Sequence, residues 1–257
     1  MILVTNDDGV DAPALPILAS ALSEIDEVTV VVPSGERSWI GKAISRYEPV
    51  HIEETERAGV PMYTCSGYPA DCVQIGVHNV LAQPPDVVVS GINIGNNHGA
   101  GFLLGSGTVG ATIEAWILGV PALAVSVGPR AEPWRDWSVW SRSDDAAGMW
   151  RGAAAVATEI VRDTNAAGWP DADVIAVEIP SGANVATRRR VTSLARIGYH
   201  GLFEWDDGAY HHRFSGAFRG DALPGSDVAE RDVVTITPVR LAETAPGDEA
   251  WAQAVER

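Results

Sequence analysis

The chain has 257 residues, 46% of them hydrophobic and 20% charged, with 34 acidic side chains against 18 basic ones and a net charge of -16. That length suits one α/β unit with additions better than two independent domains. The acidic balance excludes a nucleic-acid polymer or an anionic membrane as the main partner, because both would be repelled at long range. It leaves room for a small phosphorylated ligand, since one local cation inverts the field inside a cleft.

In chain order, Ile2–Thr5 opens the sequence as a short β-branched run that reads as a buried strand, with no basic region or cleavage site before it. Pro13–Leu22 reads as a helix with proline in its first turn, followed by a strand over Val28–Val32. Asp71–Leu81 is expected to be helical, Asp86–Ser90 a strand, Val109–Leu118 a helix and Ala122–Val127 a strand. A connector over Pro129–Ser143 carries Trp134, Trp137 and Trp140, read as a lid or an oligomer contact. A long helix from about Asp144 to Arg162 and a strand over Val174–Ile179 follow. After Pro180 the pattern weakens into a segment, about 181–229, expected to protrude as a hairpin. A strand over Val233–Thr237 and a short helix near Glu249–Val255 close the chain.

Strands alternating with helices predict an α/β fold, Rossmann-like, with a mostly parallel sheet covered by helices on both faces. One unit spanning 1–257 is expected, with its core in about 1–180 and 230–240 and a C-terminal extension over about 246–257. Ligands of such sheets sit beyond the carboxyl ends of the strands. Cys65 and Cys72 form no C-x-x-C pair and read as free buried thiols of a reducing, cytoplasmic compartment. The longest apolar stretch, Ala115 to Val127, is interrupted by Gly119 and Pro121 and is too short to span a bilayer.

Three segments carry chemistry. Asn6-Asp7-Asp8-Gly9 follows the first strand directly. Two adjacent carboxylates at a strand tip repel each other unless a cation holds them, and oxygen ligands favour Mg²⁺, Mn²⁺ or Ca²⁺. An Asx-turn with a helix cap is the alternative for the same residues. Ser90-Gly91-Ile92-Asn93-Ile94-Gly95-Asn96-Asn97 follows another strand and offers neutral oxygens and amide donors, or an ordinary Gly/Asn turn. Gly105-Ser106-Gly107-Thr108-Val109-Gly110 matches G-x-G-x-x-G by letter, but no strand runs straight into it and no acidic residue ends the next strand. A nicotinamide site is therefore dismissed in favour of a phosphate-sized anion at a helix N-terminus, with Ser106 and Thr108 as hydroxyl donors.

Together, Thr5–Val10, Glu36-Arg37-Ser38, Gly67–Val73, Ser90–Asn93 and Ser106–Val109 resemble the SurE family of survival-protein nucleotidases, in family order and at family spacing. The resemblance implies a 5'- and 3'-nucleotidase with a divalent metal, Mg²⁺ or Mn²⁺ (Ca²⁺ in a crystal), held by Asp7, Asp8, Ser38 and Asn93. It implies a phosphate site at Asn96, Ser106, Gly107 and Thr108, a small nucleotide as substrate, and a homodimer or homotetramer. Asp7 or Asp8 would accept the proton of the attacking water. Asp71 matches a family position but opens a helix, where capping competes with catalysis. The chain departs from the family pattern at Trp39-Ile40-Gly41-Lys42, at Asn97 and at Gly105, which motivates a modified nucleotide as an alternative substrate. A non-catalytic binding relative is the alternative of another class.

Around these blocks, three more residues stand out. Lys42 is the sole lysine among 18 basic residues and is expected either to bind the substrate phosphate or to be a surface lysine. Trp39 would stack on a nucleobase or pack under its loop. His98 is the nearest general acid by position, a solvated loop histidine being the alternative.

Overall fold

The computed structural model describes residues 1–214, 218–230 and 232–243. The C-terminal helix expected near Glu249–Val255 lies outside them.

Elements follow in order: β1 (Ile2–Thr5), α1 (Ala14–Leu22), β2 (Val28–Pro33), β3 (Ile52–Arg57), β4 (Val60–Cys65), α2 (Pro69–Ile75), β5 (Val87–Ile94), α3 (Gly99–Gly105), α4 (Gly107–Ile117) and β6 (Ala122–Gly128). The second half holds α5 (Trp134–Trp140), α6 (Ala147–Ala167), β7 (Val174–Pro180), β8 (Arg189–Val191), β9 (Gly198–Tyr199), β10 (Phe203–Asp206), β11 (Ala209–His212), β12 (Phe218–Arg219) and β13 (Val234–Val239). The main sheet runs β3-β4-β2-β1-β5-β6-β7-β13-β8. It is parallel from β4 through β7, while β3 and β13 pair antiparallel with β4 and β7.

The central strands are buried on both faces, which is why they read as continuous apolar runs. One face packs on α1 and α6 through Leu15, Leu18, Leu22, Trp150, Ala154 and Ile160; the other packs on α2 and α4 through Cys72, Val73, Ala111 and Ala115. Both cysteines are free and buried. No helix among the described residues is long and apolar enough to cross a membrane.

From β1 the chain passes to β2 on one side, and β5 flanks β1 on the other. This reversal makes a switch point at the carboxyl ends of β1 and β5, where an open α/β sheet leaves a crevice.

Two expectations are corrected, both of element bounds. The helix expected over Asp71–Leu81 starts earlier, at Pro69, and ends at Ile75, giving way to a π-helical turn over Gly76–Val80. There Gly76 lies against Leu3: a Cβ would sit 2.9 Å from Leu3 Cδ2, so a larger residue would require that side chain to shift. The strand expected to stop at Ser90 continues to Ile94 through a register shift between Ser90 and Asn93, so the glycine-rich block is the end of a strand rather than a loop. The Trp-rich connector folds into α5, whose Trp137 is buried and packs its ring 5.7 Å from that of Trp134. Past Pro180, β10 and β11 form the expected hairpin, with Phe203, Trp205 and Tyr210 exposed.

Asp71 has a structural task. Its Oδ2 accepts from the Tyr68 amide at 2.8 Å and from Ser45 Oγ at 2.7 Å, and Oδ1 accepts from the Ser45 amide at 3.1 Å. It thereby closes the first turn of α2 and ties down the long β2–β3 connection. Asp71→Ala is expected to cost roughly 2–4 kcal/mol, because it strips donors that are partly buried. Urea unfolding measures this.

Candidate active site

The site starts with the turn after β1. Asn6 closes it, donating from Nδ2 to Gly9 O at 3.0 Å and accepting from the Gly9 amide at Oδ1, 3.1 Å away. The Asx-turn weighed from sequence is thus made by Asn6, and Asp7 and Asp8 are left for other work. Gly9 has φ +89° and lies against the backbone of Gly35, where a Cβ would come within 2.7 Å of a carbonyl carbon. That close approach brings in the segment after β2, which the Arg37 amide stitches to Asp7 O at 2.7 Å.

Four segments meet here. Asp7 is buried and accepts from Thr108 Oγ1 at 2.5 Å. Asp8 Oδ2 accepts from the Ile94 amide at 2.9 Å. Ser38 donates to Glu36 Oε1 at 2.7 Å. Asn93 Nδ2 donates to Gly95 O at 2.9 Å. Burial raises the pKa of Asp7, with the Thr108 hydroxyl pulling against it; burial and then the charge of Asp7 raise that of Asp8. Two carboxylates so placed gain from a cation, and the surrounding oxygens are hard donors suited to Mg²⁺ or Mn²⁺. Among the described residues no three His, Cys, Asp or Glu side chains cluster with ligand geometry. A cation bound here would be met by two carboxylates and by neutral oxygens, donors that Asp7, Asp8, Ser38 and Asn93 carry.

The cleft beside them has a volume of about 740 Å³. Asp7, Ser38, Trp39, Asn93, Asn96 and Ser106 line it. Ser106 caps α4, accepting from the Val109 amide at 3.2 Å, so the N-terminus of α4 opens at the cleft. At Gly107 a Cβ would stand 2.9 Å from Asp7 Oδ2, so only glycine lets the helix start this close to the carboxylate. Thr108 is fully buried and gives its hydroxyl to Asp7 rather than to the cleft. Trp39 has φ 59° and is half exposed; its ring lies 5.6 Å from Phe102, 5.4 Å from Tyr199 and 5.1 Å from His212. Packing and presentation to the cleft are thus both met. His98 precedes α3 and lines the cleft.

Lys42 is placed elsewhere. Its Nζ lies 2.5 Å from Oε2 of the buried Glu114 on α4, and it does not line the cleft. The expectation of a phosphate-binding Lys42 is corrected on this ground: a buried carboxylate already claims the ammonium, and the pair fastens the loop after β2 to α4. Sequence reading missed Phe102, Arg142, His212, Phe214 and Phe218 and gave no site role to Glu36 or Trp134, all of which line the cleft. The Trp-rich connector was the one signal for Trp134 and Arg142. Also missed is Glu178, which faces a smaller adjoining cavity of about 210 Å³ and accepts from the Asn97 amide at 2.9 Å.

The family model described as "Survival protein SurE" matches residues 2–201. A protein named 5'-nucleotidase SurE from Methanocella arvoryzae is 36% identical over 259 residues, covering 95% of this chain and 93% of its own. One of the same name from Geobacter sulfurreducens is 40% identical over 179 residues, covering 70% and 62%. The crystal structure of the SurE protein from Aquifex aeolicus aligns with a TM-score of 0.74 at 27% identity, over 99% of this chain and 98% of that one. With most of its length matched by the family model and a near full-length relative above one third identity, the chain belongs to the SurE family.

Proposed function

We propose that this protein is a divalent-cation-dependent phosphomonoesterase that hydrolyses nucleoside 5'- and 3'-monophosphates. The observation that carries the reading is the meeting of Asp7 and Asp8 with Asn93 and the N-terminus of α4 at the sheet's switch point. The names of the relatives support it.

Asp7, Asp8, Ser38 and Asn93 would hold Mg²⁺ or Mn²⁺, whose chemistry is to polarise a phosphate oxygen and lower the pKa of water. The chain's own residues do the rest. The Thr108 hydroxyl and the Ile94 amide fix the two carboxylates so that neither reorganises during the reaction. The N-terminal end of α4, together with Ser106 and Asn96, would face the phosphoryl oxygens, while the Val109 and Gly110 amides are taken by Ser106. Asp7 or Asp8 would take the proton of the attacking water, and His98, which lines the cleft, would protonate the leaving oxygen. Trp39, Phe102, Phe214 and Phe218 offer ring faces and edges to a nucleobase, a contact that tolerates any base. Exposed Phe203, Trp205 and Tyr210 on the β10–β11 hairpin support a homodimer or homotetramer.

Phosphate release from a panel of nucleoside 5'- and 3'-monophosphates tests the reading. Turnover of several bases in the presence of Mg²⁺ or Mn²⁺ is expected, and Trp39→Ala should raise KM for nucleotides more than for p-nitrophenyl phosphate. Turnover of phosphate esters without preference for any nucleoside would remove the nucleotide from the proposal.

A further inference from the structure

The cleft has a charge problem. Asp7 and Glu36 line it and Asp8 adjoins it, yet the ligand argued for is itself anionic. Lys42 is committed to Glu114. Among the described residues that line the cleft, Arg142 is the one arginine or lysine.

Arg142 is built into place. The preceding residue, Ser141, is fully buried, and its carbonyl accepts from Nε1 of the equally buried Trp150 at 2.8 Å. The Ser141 amide donates to Trp137 O at 2.8 Å, so the end of α5 is anchored to the core directly before Arg142. From that base the side chain reaches across the cleft. Nη1 donates to Ser138 O at 3.0 Å, which orients the guanidinium, and Nη2 faces Glu36 Oε2 at 3.5 Å. The charge is close enough to Asp8 to favour its ionised form. The contact with Glu36 is long for a guanidinium–carboxylate pair, uses one nitrogen, and joins side chains that are 42% and 54% exposed. Such a pair is weak and readily exchanged.

We propose that Arg142 is a substrate-binding residue whose guanidinium takes two non-bridging oxygens of the phosphoryl group, displacing Glu36, the internal anion that pairs with it in the free protein. A planar fork of N–H donors matches two phosphate oxygens, which a single carboxylate oxygen at 3.5 Å does not. The assignment rests on the phosphatase reading above, and it gives the Trp-rich connector a purpose: the turn that ends α5 brings the phosphate-binding cation to carboxylates and a helix N-terminus that come from the first half of the chain.

Inorganic phosphate titrated calorimetrically into the full chain with Mg²⁺ present is the test, on wild type, Arg142→Met and Arg142→Lys. Binding to wild type is expected, weakened at least ~10-fold in Arg142→Met and restored only in part by lysine, which keeps the charge but loses the fork. Thermal melts confirm that both variants fold. Unchanged affinity in Arg142→Met, or no phosphate binding by wild type, overturns the assignment. Turnover of p-nitrophenyl phosphate, followed in parallel, separates the two levels. A wild type that binds phosphate through Arg142 but hydrolyses no ester contradicts the phosphatase reading alone, whereas an active enzyme indifferent to Arg142→Met contradicts this inference alone.

Discussion

Asp8→Asn is expected to abolish phosphate release while making the cation-free protein more stable. Asp8 and Asp7 are sequence neighbours held in one partly dry turn; burial, and then the charge of Asp7, disfavours the ionised form of Asp8, while burial and the charge of Glu36 act on Asp7 against the Thr108 hydrogen bond. Asparagine keeps the oxygen that accepts from the Ile94 amide, so the turn survives the change. Removing one of two crowded charges should add on the order of 1–3 kcal/mol, or several degrees in Tm. Activity should fall on the order of 10³-fold, since the variant loses a charged ligand and one of the two bases. Millimolar Mn²⁺ should reverse the order of stability. Wild type gains about 2.7 kcal/mol at a cation concentration of 100 times Kd, and the variant gains far less. Melting curves with EDTA and with Mn²⁺ measure both halves; a variant less stable than wild type in EDTA would show that the pair is not strained.

The second large effect belongs to Glu178. It stands on β7 between Ser126 of β6 and Thr235 of β13. Its Oε1 accepts from the Asn97 amide at 2.9 Å, whereas Oε2 has no hydrogen-bond partner among the described residues. Burial, and then the charge of Asp227 after the opposing Asn97 hydrogen bond, pushes its pKa up to about 8. The unfolded chain releases this proton in the ordinary carboxylate range, near pH 4.5. Between those two values the folded protein binds the extra proton, so stability falls as pH rises from about 4.5 to about 8. The full linkage is on the order of 5 kcal/mol. Glu178→Gln cannot ionise, so its stability should match wild type within a few kcal/mol at pH 5 and exceed it by roughly 10 °C in Tm at pH 8.5. Parallel melting curves for the two proteins across that range would expose a charged, satisfied Glu178.

The order of strands and helices was legible because β1, β2, β5, β6 and β7 are buried on both faces and so declare themselves as β-branched runs. The end of β5 was misread, since Gly91 and Gly95 look like a turn but serve a register shift and a close approach. At Gly91 a Cβ would meet the Val125 carbonyl of the neighbouring strand. The β3–β4 hairpin went unread because its outer strand, Ile52–Arg57, is largely polar and exposed. Helix α3 was hidden for a similar reason, being rich in glycine and short.

Within the site, residues carried by the turns that follow strands were legible, because glycine and acidic residues cluster there in sequence. Residues brought in from afar were not. His212 and Phe218 reach the cleft only through tertiary packing, with nothing local to distinguish them, and Arg142 is marked only by its place in the Trp-rich connector. Lys42 shows the opposite error. Its rarity in the sequence drew attention, yet its partner Glu114 sits on a helix face that periodicity alone assigns to the core.

The most direct test of the central claim is phosphate release from p-nitrophenyl phosphate by protein stripped with EDTA and then given Mg²⁺ or Mn²⁺, alongside Asp8→Asn treated in the same way. No turnover is expected after stripping, with recovery on adding either cation and none in the variant. Turnover that survives EDTA, or that Asp8→Asn retains at the wild-type rate, would contradict that claim.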